Sequence, residues 1–341
     1  MDSSVKRPGV TSSQVARHAG VSQSAVSRAF TPGASISADT RARVLASARE
    51  LGYRPNAIAR SLITKNSRII AVVMAYLENL FYPAVLEELG RALAAQNYRL
   101  LLFTGFMDRD SDPVFEQLMQ YRVDGIILAS TALSSELSEE CATAGIPVVL
   151  FNRTTLRSSV SSVTTGNRDG GRQIADFLIA AGHRRFGYIA GLQASSTNRD
   201  RYEGFLEGLA AHGIADVAVE TGNYARLDAE AATRCMLSRP DRPDALFVAN
   251  DHMAVAAMDV ARHEFGLQVP RDLSIIGYDD VDLARWPSYD LTTMRQPVQP
   301  MVAATVDILM RQITSGVITA EHRVIAGELV VRSSAQRPEQ M

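Results

Sequence analysis

Cysteine is scarce in this chain: two in 341 residues, Cys141 and Cys235, isolated from one another. That excludes a disulfide framework, and both are expected to be reduced core residues. The six histidines (18, 183, 212, 252, 263 and 322) all stand more than four residues apart. No pair has metal-ligand spacing on a helix or turn, so neither a metal site nor a cofactor is expected. No 18-residue apolar span could cross a membrane, and no apolar N-terminal run directs export, so a cytoplasmic protein without a membrane partner is expected. Asn167-Arg-Asp-Gly-Gly171 lacks both the P-loop and the dinucleotide spacing of glycines. The serines of Ser158–Ser162 lack a nucleophile elbow and a placed histidine. The chain is therefore expected not to be an enzyme. The 341 residues suit two or three ordinary domains, and with 46% apolar residues the chain can bury a large core.

Charge is unevenly spread. Residues 1–68 carry eleven Lys/Arg against three acids, a net of +8 in a chain whose total is −2, so the remainder carries −10. A basic head on an acidic body suits phosphate binding at one end.

That head is patterned as three short helices. Thr11 is placed to cap the first, with Val15, Ala16 and Ala19 on one face and Gly20 supplying a left-handed stop. Ser22 caps a second, with Val26 and Ala29 inward. Ser37 caps a third, with Val44, Leu45, Ala48 and Leu51 inward and Gly52 closing it. Small residues at Ala16, Ala19 and Ala25 permit close helix crossing. Gln23, Ser24, Ser27 and Arg28 then face outward at the front of the second helix. All four can hydrogen-bond, and Gln and Arg suit paired contacts with base edges. This is the shape of a helix-turn-helix, with Thr11 and Ser22 at the helix starts as further candidate DNA contacts. The bland alternative is a small three-helix bundle with an incidental polar face.

The next segment, Leu51-Gly-Tyr-Arg-Pro-Asn-Ala-Ile-Ala-Arg-Ser-Leu62, sharpens the picture. Together with the Gly20-Val21-Ser22 turn and Val26-Ser27-Arg28, it resembles the lac-repressor (LacI/GalR) family of bacterial transcription regulators. The resemblance continues through nearly the whole chain. It implies a hinge helix that forms on operator DNA, with two copies side by side in the minor groove. Asn56, Ala59, Arg60 and Leu62 are the implied hinge residues: Asn56 can cap, Ala59 allows close approach, and Leu62 is the apolar wedge that unstacks a base step. About seven residues make a helix too short to stand alone in water. Alternatively, Leu62 merely seats the linker on the next domain. Ile63 stands where some members carry Lys.

From about Ser67 the pattern becomes alternating strand and helix. Ile69–Ala75, Arg99–Thr104, Gly125–Ser130 and Val148–Asn152 are apolar runs without alternation, followed by Phe186–Gly191, Ala245–Asn250 and Ser274–Asp280. Such runs mark parallel sheets covered on both faces. The expected fold is an all-α helix-turn-helix headpiece (1–54), a hinge and linker (55–67), and an α/β two-lobed effector domain of doubly wound parallel sheets. The first lobe is expected to span 68–166 plus about 294–322, the second 167–293 plus about 323–333, with 334–341 as a tail. This layout resembles type I periplasmic sugar-binding proteins, in which ligand lies in a cleft at the carboxyl ends of the strands.

The polar residues at those strand ends are the candidate effector ligands. Phe81 and Tyr82 follow Asn79 after the first strand, and Asn152 and Arg153 end the fourth. Arg201 lies in the Ser196–Phe205 stretch, and Asn250 and Asp279 end later strands. By position, Arg201, Asn250 and Asp279 match family residues that hold polar effector groups. Tyr224 sits where some members place an aromatic over the ligand, and Trp286 could stack on a sugar face. Each has a plainer reading: Asp279 as a turn residue, Asn250 as an N-cap, Phe81 and Tyr82 as core, Trp286 as a packed loop. Ser195 replaces an arginine of purine-sensing members, which favours a sugar, sugar acid or similar polar metabolite.

The resemblance thus implies a repressor that binds double-stranded, inverted-repeat operator DNA as a homodimer and is released by a small-molecule effector. Residues 332–341 lack the apolar heptads of a tetramerising bundle. Two alternatives stand beside it: a co-repressor-dependent or activating regulator, and a periplasmic-type binding protein that does not touch DNA.

Overall fold

The computed structural model describes residues 10–31, 33–54, 66–75, 77–105, 118, 120–129, 141, 143–155 and 160–339. The chain divides into two compact units, Met1–Ser67 and Arg68–Met341. The hinge candidates Asn56, Ala59, Arg60 and Leu62 lie outside the described residues.

In the first unit, α1 (Ser12–Ala19), α2 (Gln23–Ala29) and α3 (Ala38–Glu50) enclose a small core of Val15, Ala16, Ala19, Val26, Ala29, Val44 and Ala48. Leu45 and Leu51 are only half-buried. Each helix starts on a hydroxyl cap: Thr11, Ser22 and Ser37 accept from the backbone N–H three residues on. Gly20 ends α1 at φ 64°, a left-handed conformation that a side chain would resist.

The second unit holds two six-stranded sheets. The first runs β11-β5-β4-β3-β1-β2, all parallel, from β1 (Ile69–Ala75), β2 (Arg99–Gly105), β3 (Gly125–Ala129), β4 (Val148–Phe151), β5 (Ser161–Thr165) and β11 (His322–Ile325). The second runs β12-β10-β9-β8-β6-β7, from β6 (Phe186–Ala190), β7 (Val217–Thr221), β8 (Ala245–Val248), β9 (Ser274–Asp279), β10 (Thr292–Arg295) and β12 (Glu328–Val330). Only β12 is antiparallel to its neighbour. The connecting helices are α4 (Phe81–Ala95), α5 (Asn167–Ala180), α6 (Ser196–Ala211), α7 (Arg226–Leu237), α8 (Asp251–Asp259) and α9 (Val298–Ser315). Among the described residues no helix is long and apolar enough to cross a membrane.

Three expectations need correction. The segment at about 323–333, expected in the second lobe, divides: β11 joins the first sheet and only β12 the second. The tail boundary at 334 falls inside the second lobe. Ser334 is fully buried, donating to the Ile275 carbonyl at 2.6 Å and accepting from the Thr292 N–H at 2.8 Å. Cys141 is buried, but Cys235 is exposed at the end of α7 beside Glu220 and is not a core residue.

The glycines of Asn167–Gly171 have a structural use. Gly170 makes room for the Tyr278 side chain, and Gly171, with Gly204 opposite, lets α5 and α6 meet backbone to backbone: a Cβ on Gly171 would overlap the Arg201 carbonyl, and one on Gly204 the Arg168 carbonyl. This crossing carries Asn167 and Arg201 to one place. Rigid helix backbone cannot yield to a methyl group, so Gly204→Ala is expected to cost about 1–3 kcal/mol or more. Urea denaturation checks this, and an unchanged midpoint would contradict so close a crossing.

Candidate functional site

In the headpiece, α1 and α2 are joined by Gly20-Val21-Ser22, which leaves the front of α2 open. Gln23, Ser24, Ser27 and Arg28 are all exposed. Thr11 and Ser22 are exposed too, but their hydroxyls serve as caps. Thr11 accepts from the Gln14 N–H while its own N–H donates to Gln14 Oε1 at 2.7 Å. Gln23 Nε2 donates to Ser12 Oγ at 2.9 Å, tying the front of α2 to the start of α1. Arg28 has no ion-pair partner among the described residues and projects from an apolar-backed helix. Charge counting alone missed one role: Arg41 donates to the Ala29 and Ala34 carbonyls and staples α3 to the end of α2.

In the second unit, the carboxyl ends of β4, β8 and β9 and the starts of α4, α5 and α6 bring a set of polar side chains together inside the protein. Arg201 is its centre and is 2% exposed. Its Nε donates to Asn167 Oδ1 at 2.8 Å and its Nη1 to the Ala249 carbonyl at 2.5 Å. Its guanidinium lies 3.6 Å from the Tyr278 ring centroid, with Nη2 3.7 Å from Asp279 Oδ1. Asp279, the last residue of β9, sits at φ 128°, a backbone conformation that residues with a side chain rarely adopt. It accepts from Gln296 Nε2 at 2.7 Å and from Asn79 Nδ2 at 3.4 Å. Burial pushes its carboxyl up to about 6, against the pull of Arg201 and the hydrogen bonds from Gln296 and Asn79. Asp251 lies close by, wholly buried, and is pushed up to about 7 by burial and by the Asp279 charge.

Asn250 caps α8, accepting from the Met253 N–H at 3.0 Å. Its Nδ2 is buried with no hydrogen-bond partner among the described residues. Asn152, at φ 57° after β4, likewise leaves Oδ1 buried and unpartnered. Unpaired amides in a dry site are costly unless something fills them. Tyr224 is buried, with its hydroxyl 3.1 Å from Thr197 Oγ1. Tyr82 and Phe81 are both buried at the start of α4. Phe81 stacks on Phe151 at 6.4 Å and belongs to the core. Tyr82 lies within electrostatic reach of Arg153, Asp279, Tyr224 and Arg201, and its hydroxyl pKa is raised chiefly by burial.

Trp286 is not among these residues. It is 54% exposed and its indole N–H donates to Asp282 at 3.4 Å, on the surface. Three residues belong to the cluster that were absent from the candidate effector set, Asn167, Gln296 and Thr197; Arg153, a strand-end candidate beside Asn152, joins it through Thr197. Gln296 bridges the lobes, its Oε1 accepting from Thr165 Oγ1 at 2.7 Å while its amide holds Asp279. Among the described residues no group of three His, Cys, Asp or Glu is placed to hold a metal ion.

The model of bacterial regulatory proteins of the lacI family matches residues 13–56, and that of periplasmic binding protein-like domains matches residues 175–335. The HTH-type transcriptional regulator CelR of Thermobifida fusca is 32% identical over 338 residues, 96% of this chain and 98% of that protein. The chain belongs to the lacI family. The ribose operon repressor of Escherichia coli K12 is also 32% identical, over 95% of this chain and 99% of the relative. A lac repressor dimer bound to operator and the anti-inducer ONPF matches with a TM-score of 0.86 and 27% identity, covering 96% of this chain and 99% of that one. A CelR–cellobiose complex matches with a TM-score of 0.72 and 30% identity, covering 96% and 100%. The protein is a DNA-binding transcription regulator with a helix-turn-helix head and a two-lobed α/β effector domain.

Proposed function

We propose that the protein is a repressor that binds an inverted-repeat operator as a homodimer and lets go when a small polar effector occupies the cleft. The observation that carries the effector half is the pair of buried amide atoms without a hydrogen-bond partner among the described residues, Asn152 Oδ1 just after β4 and Asn250 Nδ2 just after β8, taken with the buried Arg201–Asp279 pair. One is an acceptor and one a donor, as a polyhydroxylated ligand requires. Phe81 through its packing under Tyr82, and Tyr224 through its ring, shape the cleft, while Trp286 stays outside. A ligand shifts the regulator only by its differential affinity for the DNA-binding and released states. The protein is read as a binding protein of the cytoplasm rather than an enzyme, in keeping with relatives named as a transcriptional regulator and an operon repressor.

The test is a thermal-shift screen of sugars, sugar acids and nucleosides, followed by operator release measured by fluorescence anisotropy. A ligand that raises stability and lowers operator affinity supports the reading. One that tightens operator binding makes the protein a co-repressor-dependent regulator instead.

On the DNA side, Arg28→Ala is expected to cost about 1–3 kcal/mol at the operator, the worth of a paired base contact, and to relax specificity there. Log affinity falls steeply with log salt if phosphates dominate, and a flat response would contradict that. Leu62→Ala is expected to weaken operator binding while sparing nonspecific DNA. Equal loss on both would reject the wedge.

A further inference from the structure

We propose that Ser12 fixes the amide of Gln23, and that Gln23 so held reads an adenine in each operator half-site. The proposal deepens the DNA-binding reading above and rests on it.

Gln23 is the first residue of α2, at the end of the helix that meets base edges when a helix-turn-helix docks in the major groove. A glutamine on an open surface presents its amide either way round. Gln23 is exposed but tied: its Nε2 donates to Ser12 Oγ at 2.9 Å, across the turn between α1 and α2. Ser12 is a firm anchor. It is half-buried at the start of α1, directly after the Thr11–Gln14 capping box.

The neighbouring polar groups are occupied. Gln14 Oε1 accepts from the Thr11 N–H at 2.7 Å and from the Thr11 hydroxyl at 3.1 Å. Ser24 Oγ lies 2.9 Å from Ser22 Oγ, which accepts from the Ala25 N–H at 3.2 Å. Gln23 is therefore the long neutral side chain that faces a base at this end of α2.

A primary amide carries two N–H donors and one acceptor oxygen. Ser12 takes one N–H, so one donor and one acceptor remain. In the major groove adenine offers N7 as an acceptor and its N6 amino group as a donor, which uses both. Guanine offers two acceptors, N7 and O6, and sets one of them against the Gln23 oxygen. Thymine offers an acceptor and a methyl group, and cytosine a donor, so each meets half of the pair. An amide released from Ser12 can turn both N–H groups outward, and guanine is then admitted.

The experiment is in vitro selection from a random duplex pool with the full chain, wild type and Gln23→Ala side by side. The position whose preference changes between them is the one Gln23 reads. Adenine is expected there, preferred over guanine by about 5- to 150-fold in anisotropy titrations of the selected duplex, the worth of a paired base contact. At that position 7-deazaadenine, which lacks the N7 acceptor, and unsubstituted purine, which lacks the amino donor, are each expected to bind wild type less tightly than adenine does. Ser12→Ala is expected to lose most of the adenine-over-guanine preference at that one position. A merely loosened headpiece would weaken every position together. Ser12→Thr, which keeps the hydroxyl, is expected to keep the preference. Should Ser12→Ala fail to fold, the selected base and the two analogues on the wild type still decide. Guanine or a pyrimidine at the mapped position, a selection that Gln23→Ala leaves unchanged, or a Ser12→Ala protein with the wild-type preference would overturn the proposal while leaving the operator reading standing. If the wild-type chain selects no sequence at all, the operator reading itself fails and this proposal with it.

Discussion

Asp279→Ala is expected to abolish the response to effector, with a loss of affinity of at least about a hundredfold. Its carboxylate accepts from Gln296 and Asn79 and faces Arg201 across 3.7 Å. A hydrogen bond to a charged acceptor is worth about 1.5–3 kcal/mol, so losing the ligand's bond alone predicts a drop of about 10- to 100-fold. The same substitution disorders the site itself. Arg201, buried and positive, loses its counter-charge, and Gln296 loses its tie between the lobes. Breaking a buried pair from one side costs about 3–5 kcal/mol of stability. The two consequences separate in a double variant. Arg201→Met beside Asp279→Ala is expected to return part of the stability and none of the effector response. Anisotropy of labelled operator, titrated with the effector, reads the response, and urea midpoints read the stability. An Asp279→Ala protein that releases operator at wild-type effector concentration would move the ligand site elsewhere.

How much was legible depends on whether the signal is local. Thr11, Gly20, Ser22 and Ser37 act on backbone groups within a few residues, so the caps and stops of the headpiece can be read directly from the chain. The apolar runs of β1, β3, β4, β8 and β9 are equally plain. Strand β5, Ser161-Ser-Val-Thr-Thr165, is not: it is buried at every position but mostly polar. Its hydroxyls are satisfied from distant segments, Gln312 reaching Ser161 and Thr165 reaching Gln296. The returning tail was hidden for a similar reason, because a break at residues 326 and 327 sends its two halves to different sheets.

The site followed the same rule. Arg201, Asn250 and Asp279 are strand-end and helix-start residues, and their placement follows from the strand pattern. Arg153 is a strand-end residue too, but its hydrogen bond to Thr197, 44 residues away, is not local and has no signature in the chain. Trp286 stands only seven residues beyond Asp279 in the chain, but the short helical turn between them carries its ring to the surface.

Asp251→Asn is expected to make the protein more stable above neutral pH and to flatten its dependence on pH. Asp251 is fully buried, with one oxygen accepting from Thr293 Oγ1 at 2.6 Å and the other from the Val281 N–H at 3.0 Å. Burial first, and then the Asp279 charge, push its carboxyl up to about 7 from an ordinary 3.8. The sign follows from linkage. Below about pH 4 the group is protonated whether the chain is folded or not, and the buried site carries no charge penalty. As pH rises, the unfolded chain ionises first, so stability falls, and the fall ends once the folded group ionises near pH 7. At about 1.4 kcal/mol for each pH unit, the loss reaches a few kcal/mol. Asparagine fits the same bonds: its carbonyl accepts from Val281, and its amide donates to the Thr293 oxygen. The start of α8 favours a negative charge at this position, and removing it returns a few tenths of that gain. Asp279, raised to about 6 by burial, keeps part of the slope in the variant. Urea midpoints at pH 5, 6, 7 and 8 read the effect. Parallel profiles for the two proteins would mean that Asp251 ionises inside the fold as easily as in water, and that the base of this cleft is wetter than its packing implies.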